Sequence, residues 1–351
     1  MKVYEKRIFV RQEKIITEED WRTLYDTAIA FKNLKCWQWM YDSDLFGVQN
    51  PDDNKTGYCC IMGKLGEFKA LAVYLGTEGL ESYKRIYSGK RPDEKPETTN
   101  SQKCLMVSFE DRDDLDEEDI EILDILDLEF TGNSQWPIFR SYEPGYLPWF
   151  LTAKEIKFLT TAIEQSIIVS KKAKKNKSTI KSEKKNTYLI RVFENGKWGE
   201  KWLTPPKIQR YQIMPVFDFT LLKNLKTKKI AKSGNWELSF IHLQTAVREE
   251  TEKPYYPYLI LIVDTDIEQT IGFELCEPGK INMRLPTMLL KTIQKNKMMP
   301  KKITVNQNET IKLISNITDE LSIKIEKMKT LNLLNSMLSD VISLINMNEY
   351  F

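Results

Sequence analysis

Histidine is nearly absent from this chain. Of 351 residues, one is histidine, His242. That excludes every mechanism needing two imidazoles, including His-Glu-x-x-His metal sites. His242 falls in Leu238-Ser-Phe-Ile-His-Leu-Gln244, an expected strand, where a half-buried, hydrogen-bonded role outweighs a catalytic one. Cysteine is scarce too. The five (36, 59, 60, 104 and 276) are odd in number and lack paired spacing. They read as reduced, buried thiols of a cytoplasmic protein rather than a zinc or redox site. Cys59 and Cys60 are adjacent, so on a strand they point to opposite faces. No apolar run reaches the length of a membrane span. No apolar segment follows the charged start Met1-Lys-Val-Tyr-Glu-Lys-Arg7, so a secretory signal is not expected. Glycine-rich phosphate loops are missing as well: Leu75-Gly76-Thr-Glu-Gly79 lacks the Lys-Ser/Thr ending. There is no Gly-x-Ser-x-Gly elbow for a nucleophile.

What is present is enough apolar material for two cores. The apolar share is 41% and the aromatic share 11%, over a length that suits two domains. The net charge of +2 hides an asymmetry. Residues 1–170 hold 21 Lys and Arg against 31 Asp and Glu, and residues 171–351 hold 31 against 19. Halves of opposite sign attract within one chain. A large part of the second excess is the run 171–185, with eight Lys and one Glu. Only Ile180 interrupts its polarity, and self-repulsion favours an extended form. Residues 171–186 are therefore the expected linker. An α+β domain is expected over 1–170 and an α/β domain over 187–351.

Within the first half, a helix is expected at 16–34, capped by Thr17 and opened by three acids, with Trp21, Leu24, Tyr25, Ala28 and Phe31 recurring at helical spacing. A hairpin is expected at 57–63 and 67–75, a helix at 78–88, a polar loop at 89–102 and a strand at 103–109. The acidic run Glu110–Asp119 lacks the central Gly of a calcium loop and reads as a solvated helix start. A strand at 136–140 and an amphipathic helix at 151–169 follow. Trp37, Trp39, Trp136 and Trp149 cluster around turns. Packing is their default role, and a groove for an aromatic or peptide ligand is the sharper alternative.

Beyond the lysine run, Glu194-Asn195-Gly196 marks a hairpin between 188–193 and 197–203. Strands are expected at 210–219 and 236–246. The strand Tyr258-Leu-Ile-Leu-Ile-Val-Asp264 then carries one carboxylate to a sheet edge. A returning strand at 269–276, a helix at 286–297, Pro300-Lys-Lys-Ile-Thr-Val-Asn306, a helix at 308–320, a strand at 321–327 and a helix at 331–346 complete the order.

This order, over roughly 257–346, resembles the ribonuclease H-like fold and, within it, the integrase and transposase core. The resemblance implies a strand acid, a second acid after the next strand and a third on the late helix, together holding two Mg or Mn ions. Such ions repel unless carboxylates neutralise them. Asp264 matches the first position and Asp340 the third, but Asn306 stands at the second. Asp266 and Glu309 are the possible substitutes. The whole chain also resembles an uncharacterised two-domain bacterial family whose modules are both domains of unknown function. Cys36-Trp-Gln-Trp39, Asp44-Leu-Phe-Gly47, Leu71-Ala-Val-Tyr-Leu-Gly76 and Arg140-Ser-Tyr-x-Pro144-Gly145 carry that resemblance.

The expected function is a non-catalytic binding or scaffold protein with a protein partner and no metal or other cofactor. One alternative is a divalent-metal phosphodiesterase using Asp264, Asp266 and Asp340. Another is nucleic-acid binding through Lys171, Lys172, Lys174, Lys175, Lys301 and Lys302, less favoured because no aromatics or arginines interleave the run.

Overall fold

The structure is a computed structural model, and it describes residues 9–11, 14–66, 68–88, 101–207, 214–228, 230–248 and 253–347. The chain divides into two compact units, residues 1–144 with 148–209, and residues 145–147 with 210–351. Each is a mixed α/β region built on one large sheet. A small antiparallel pair, β1 (Phe9–Arg11) and β2 (Lys14–Ile16), precedes them.

The first unit opens with α1 (Glu18–Leu34), capped as expected by Thr17, whose side chain exchanges hydrogen bonds with Asp20. Its sheet comprises β3 (Phe46–Gln49), β4 (Thr56–Met62), β5 (Ala70–Leu75), β6 (Cys104–Glu110), β7 (Trp136–Tyr142), β8 (Tyr188–Glu194) and β9 (Lys197–Leu203). The strand order is β7-β6-β5-β4-β3-β8-β9, and only the β3–β8 pairing is parallel. Between the strands lie α2 (Gly76–Tyr87), α3 (Glu117–Leu126) and α4 (Ala153–Lys175). Strand alternation divides the apolar side chains between two layers. Cys59, Ile61, Leu71, Val73, Leu105 and Val107 meet α1, α3 and α4 on one face. Cys60, Ala72, Tyr74 and Cys104 meet α2 on the other. Cys59 and Cys60 thus separate as their adjacency required.

Three expectations need correction here. Residues 171–186 are no extended linker: α4 runs to Lys175, a 3-10 turn covers Lys177–Ile180, and Ala173 and Ile180 are buried in the unit's core. Helical spacing carries the apolar face past the point where lysines dominate the composition. The hairpin 188–203, assigned by sequence to the second half, pairs through β8 with β3 of the first sheet. Its Asn195-Gly196 turn is as expected, both residues having positive φ (51° and 75°). The expected strand at 210–219 is also absent over its described part. Residues 214–218 form neither helix nor strand, and α5 (Phe219–Thr227) begins behind an Asp218 cap. Residues 210–213 of that expected strand, and 89–100 of the expected loop, lie outside the described residues.

The second unit's sheet contains β10 (Asn235–His242), β11 (Tyr258–Asp264), β12 (Gln269–Cys276), β13 (Lys302–Val305) and β14 (Lys324–Lys327). Their order is β12-β11-β10-β13-β14. The first three form an antiparallel meander, while β13 and β14 run parallel to β10. Helices α6 (Ile281–Asn296), α7 (Asn308–Glu320) and α8 (Asn332–Met347) follow β12, β13 and β14. Trp236, Leu238, Ile260, Ile262, Ile303 and Val305 pack on one face with α5, α6 and α7. Leu259, Leu261 and Val263 pack against Leu331, Leu334 and Val341 of α8 and its approach on the other. The strand at 235–242, placed by sequence outside the core, is instead its central strand.

Candidate functional site

Asp264 ends β11 as expected, and its side chain is already committed. It is buried, 1% exposed. Its Oδ2 accepts the indole Nε1–H of Trp236 at 3.1 Å, and its Oδ1 accepts the backbone N–H of Asp266 at 3.0 Å. Asp266 in turn accepts the Asn235 amide at 2.9 Å, and the Thr265 N–H and hydroxyl both donate to the Asn235 carbonyl. These bonds close the turn between β11 and β12, the local role in which Asp is favoured. Gly234 completes the corner with φ of 84°; a Cβ there would sit 2.9 Å from Asp264 Oδ2.

Asn306 lies elsewhere. β11 is antiparallel to β10, with Asp264 opposite Trp236, whereas β13 is parallel to β10. Asn306 therefore comes beside Ser239, three residues further along β10, roughly 10 Å away along the strand. It is also on the other face, because Trp236 belongs to the α6–α7 layer while Glu237, Ser239 and Ile241 alternate toward α8. The sheet separates Asp264 from Asn306 and from the exposed Asp340 on α8. Glu309 is exposed in the first turn of α7. Among the described residues, no three His, Cys, Asp or Glu side chains gather where they could hold a metal ion.

The structure does bring together a set that sequence reasoning missed. Ser239 Oγ and Asn306 Oδ1 are hydrogen-bonded at 2.9 Å across the central strands. Thr304, buried, lies on the same face, and next to it Glu237 accepts the backbone N–H of Leu334 at 2.7 Å, near the start of α8. A carboxylate there offsets the positive end of the helix dipole. Gln307 donates to the Phe240 carbonyl. The alternation Trp236-Glu-Leu238-Ser239-Phe240 contained the signal, but only the pairing of β10 with β13 gives it meaning.

Two family models match this chain. Residues 21–191 match a domain of unknown function (DUF7309), and residues 221–342 match another (DUF6930). The first match ends within β8, consistent with the 188–203 hairpin belonging to the first unit. No curated protein matches the chain.

The lysine candidates are largely engaged at home. Lys172 pairs with Glu200 at 2.7 Å, and Lys174 lies over the Trp39 ring at 4.3 Å. Lys177 bridges to Asp44 and to the Trp39 carbonyl. Lys171 and Lys175 are exposed on α4. In the second unit Lys302 pairs with Glu326 at 2.8 Å, and Lys301 is exposed. Glu200 feels burial, which raises its pKa, but the Lys172 hydrogen bond and the Arg191 charge outweigh it and hold the carboxyl below its ordinary value.

The four tryptophans each have a separate packing role. Trp37 is buried against Phe31 and Phe109. Trp39 donates to the Ser170 carbonyl at 2.9 Å. Trp136 meets Phe130 edge-on at 5.6 Å, and Trp149 meets Phe150 at 5.2 Å. His242 sits edge-on to its cross-strand partner Tyr258, 5.1 Å between ring centres. The acidic run serves the fold through reciprocal caps at Asp111–Asp114 and Asp116–Asp119. Arg140 closes it with bonds to Asp119 at 2.5 and 2.9 Å and to Asp116 at 2.7 Å.

Among the described residues, no helix is long and apolar enough to cross a membrane.

Proposed function

We propose that the protein is a non-catalytic cytoplasmic binding or scaffold protein whose second unit is a ribonuclease H-like module with neutral side chains at its catalytic positions. The order β12-β11-β10-β13-β14 supports the fold assignment: an antiparallel meander with two parallel strands added beside its first strand. The observation that carries the function is the Ser239–Asn306 hydrogen bond at the adjoining positions of β10 and β13. Two divalent ions about 4 Å apart need several carboxylates around them, and this pair supplies none. Asp264 and Asp266 fasten a turn on the far side of the sheet, which disfavours the phosphodiesterase built on them. The pairing of Lys172, Lys174 and Lys302 within their own units disfavours a lysine-borne nucleic-acid site.

Calorimetric titration of the full chain with MnCl2 tests this. The native chain should show no tight site, and the double variant Ser239→Asp, Asn306→Asp should gain one beside Glu237. Micromolar Mn binding by the native chain that disappears in Asp264→Asn would overturn the proposal and restore the phosphodiesterase.

A further inference from the structure

An open sheet ends in two strands whose outer backbone groups lack a strand partner, and natural proteins blunt such edges with shortness, charge or proline. The two large sheets have four edges: β7 and β9, then β12 and β14. Three are blunted. β7 holds Pro137 and Arg140, and Ser141 already exchanges two backbone hydrogen bonds with Trp149. β9 carries Lys197, Glu200 and Lys201. β14 has four residues, three of them charged. β12 differs: its eight residues include no proline and one charge, Glu274. Phe273, near its middle, is 51% exposed.

The two faces of β12 are distinct. Phe273 and Leu275 lie on the α8 face, opposite Leu261 and Leu259 of β11. Gly272, Glu274 and Cys276 lie on the α6 face, where Arg284 reaches Glu274 at 3.2 Å. A bulge at Ile271 breaks the register with β11 and leaves Gly272–Cys276 as the regular stretch. Two copies of a strand paired antiparallel about a twofold axis place one residue on the axis, opposite itself. With Glu274 there, Phe273 faces the partner's Leu275 and Gly272 faces the partner's Cys276. Both apolar pairs then fall on the α8 face, and no bulged residue takes part. Opposed carboxylates repel, but each carries its own Arg284, whose five donors can serve both. Phe273 on the axis would instead draw the bulged Ile271 into the pairing.

Apolar surface continues beside the strand. Asn282, within a turn of Arg284 on α6, is hydrogen-bonded to the backbones of Met214 and Val216, which are 72% and 53% exposed. Met283 is 39% exposed. A short strand pair needs such a border to reach the roughly 1,000 Å² of a specific interface.

We propose that β12 pairs antiparallel with β12 of a second copy of this chain, joining their two sheets into one. Because β14 is blunted, the assembly closes at two chains and does not grow into a filament. The proposal concerns the observed strand edge and does not rest on the function assigned above.

Sedimentation velocity on the full chain at tens of micromolar should give twice the mass of one chain. Phe273→Lys sets a charge against the partner's Leu275 and should sediment as a monomer. Its circular dichroism should match the native spectrum, because the replaced ring is half exposed. Arg284→Gln leaves the facing carboxylates uncompensated and should weaken the dimer about tenfold. Glu274→Cys should form a disulfide-linked dimer under mild oxidation, because directly opposed residues stand about 4.5–5.5 Å apart. The native cysteines are buried and do not compete. Phe273→Cys should link only when mixed with Leu275→Cys. A native chain that stays monomeric overturns the proposal and leaves the edge to a different protein. A Phe273→Lys variant that still dimerises, or a dimer that Glu274→Cys does not link, overturns it as well.

Discussion

Replacing Asp264 by Asn separates a turn-fastening carboxylate from a catalytic one. The side chain accepts from two donors, the Trp236 indole N–H at 3.1 Å and the Asp266 backbone N–H at 3.0 Å. Asparagine has nearly the same shape but one acceptor oxygen. Whichever way its amide turns, an NH2 group faces an N–H. One bond to a charged acceptor is lost inside a buried corner, at a cost of roughly 2 kcal/mol. The effect should be confined to the second unit, whose single tryptophan is Trp236. Hydrogen exchange read by mass spectrometry on peptides spanning 235–242 and 258–276 measures it. Exchange governed by opening of this sheet should quicken about thirtyfold, since 1.4 kcal/mol is a factor of ten. Peptides of the first unit should be unchanged. Protection equal to that of the native chain would refute the turn-fastening role, because a metal-binding carboxylate relieved of its charge costs the empty fold nothing.

Other substitutions probe the same logic. Arg140→Met leaves Asp119, 5% exposed at its side chain, without its partner. It should cost the first unit about 3–5 kcal/mol in urea unfolding, and a loss under 1 kcal/mol would rule out a buried ion pair there. Glu200→Gln should flatten the acid limb of the first unit's stability. The folded carboxyl titrates below its ordinary 4.5, so its stabilisation is complete above that pH and fades as pH falls through the folded value. Equal slopes for variant and native chain between about pH 5 and 3 would count against it. Gly234→Ala forces a side chain to φ of 84° and toward Asp264; a loss of about 1–2 kcal/mol in the second unit is expected, and an unchanged midpoint would show that the corner relaxes freely.

Much of the local structure was legible because it depends on near neighbours. Thr17 with Asp20, Asn195-Gly196, and the alternation of Cys59 and Cys60 each specify a cap, a turn or a face within a few residues. The α4 apolar face was legible too, but its end was misjudged, since the lysines at 171–175 are a matter of composition while Ala173 continues the helical stripe. The candidate site was only half legible. The fold resemblance groups residues 264, 306 and 340 at one site, a grouping that depends on which strand is central. Placing β10 at the centre of the sheet moved Asn306 to Ser239 and left Asp264 on the other face.

The sequence by itself determined two apolar cores, the helices and strands that alternate within them, and the shortage of histidine. Those follow from periodicity and composition, which are properties of adjacent residues. Only the tertiary structure decided that residues 188–203 belong to the first sheet and that 235–242 is the middle strand of the second. Strand pairing joins backbones far apart in the chain, and any apolar strand of suitable length satisfies it. Which side chains meet on a face is therefore a consequence of strand order, and no local pattern encodes that order.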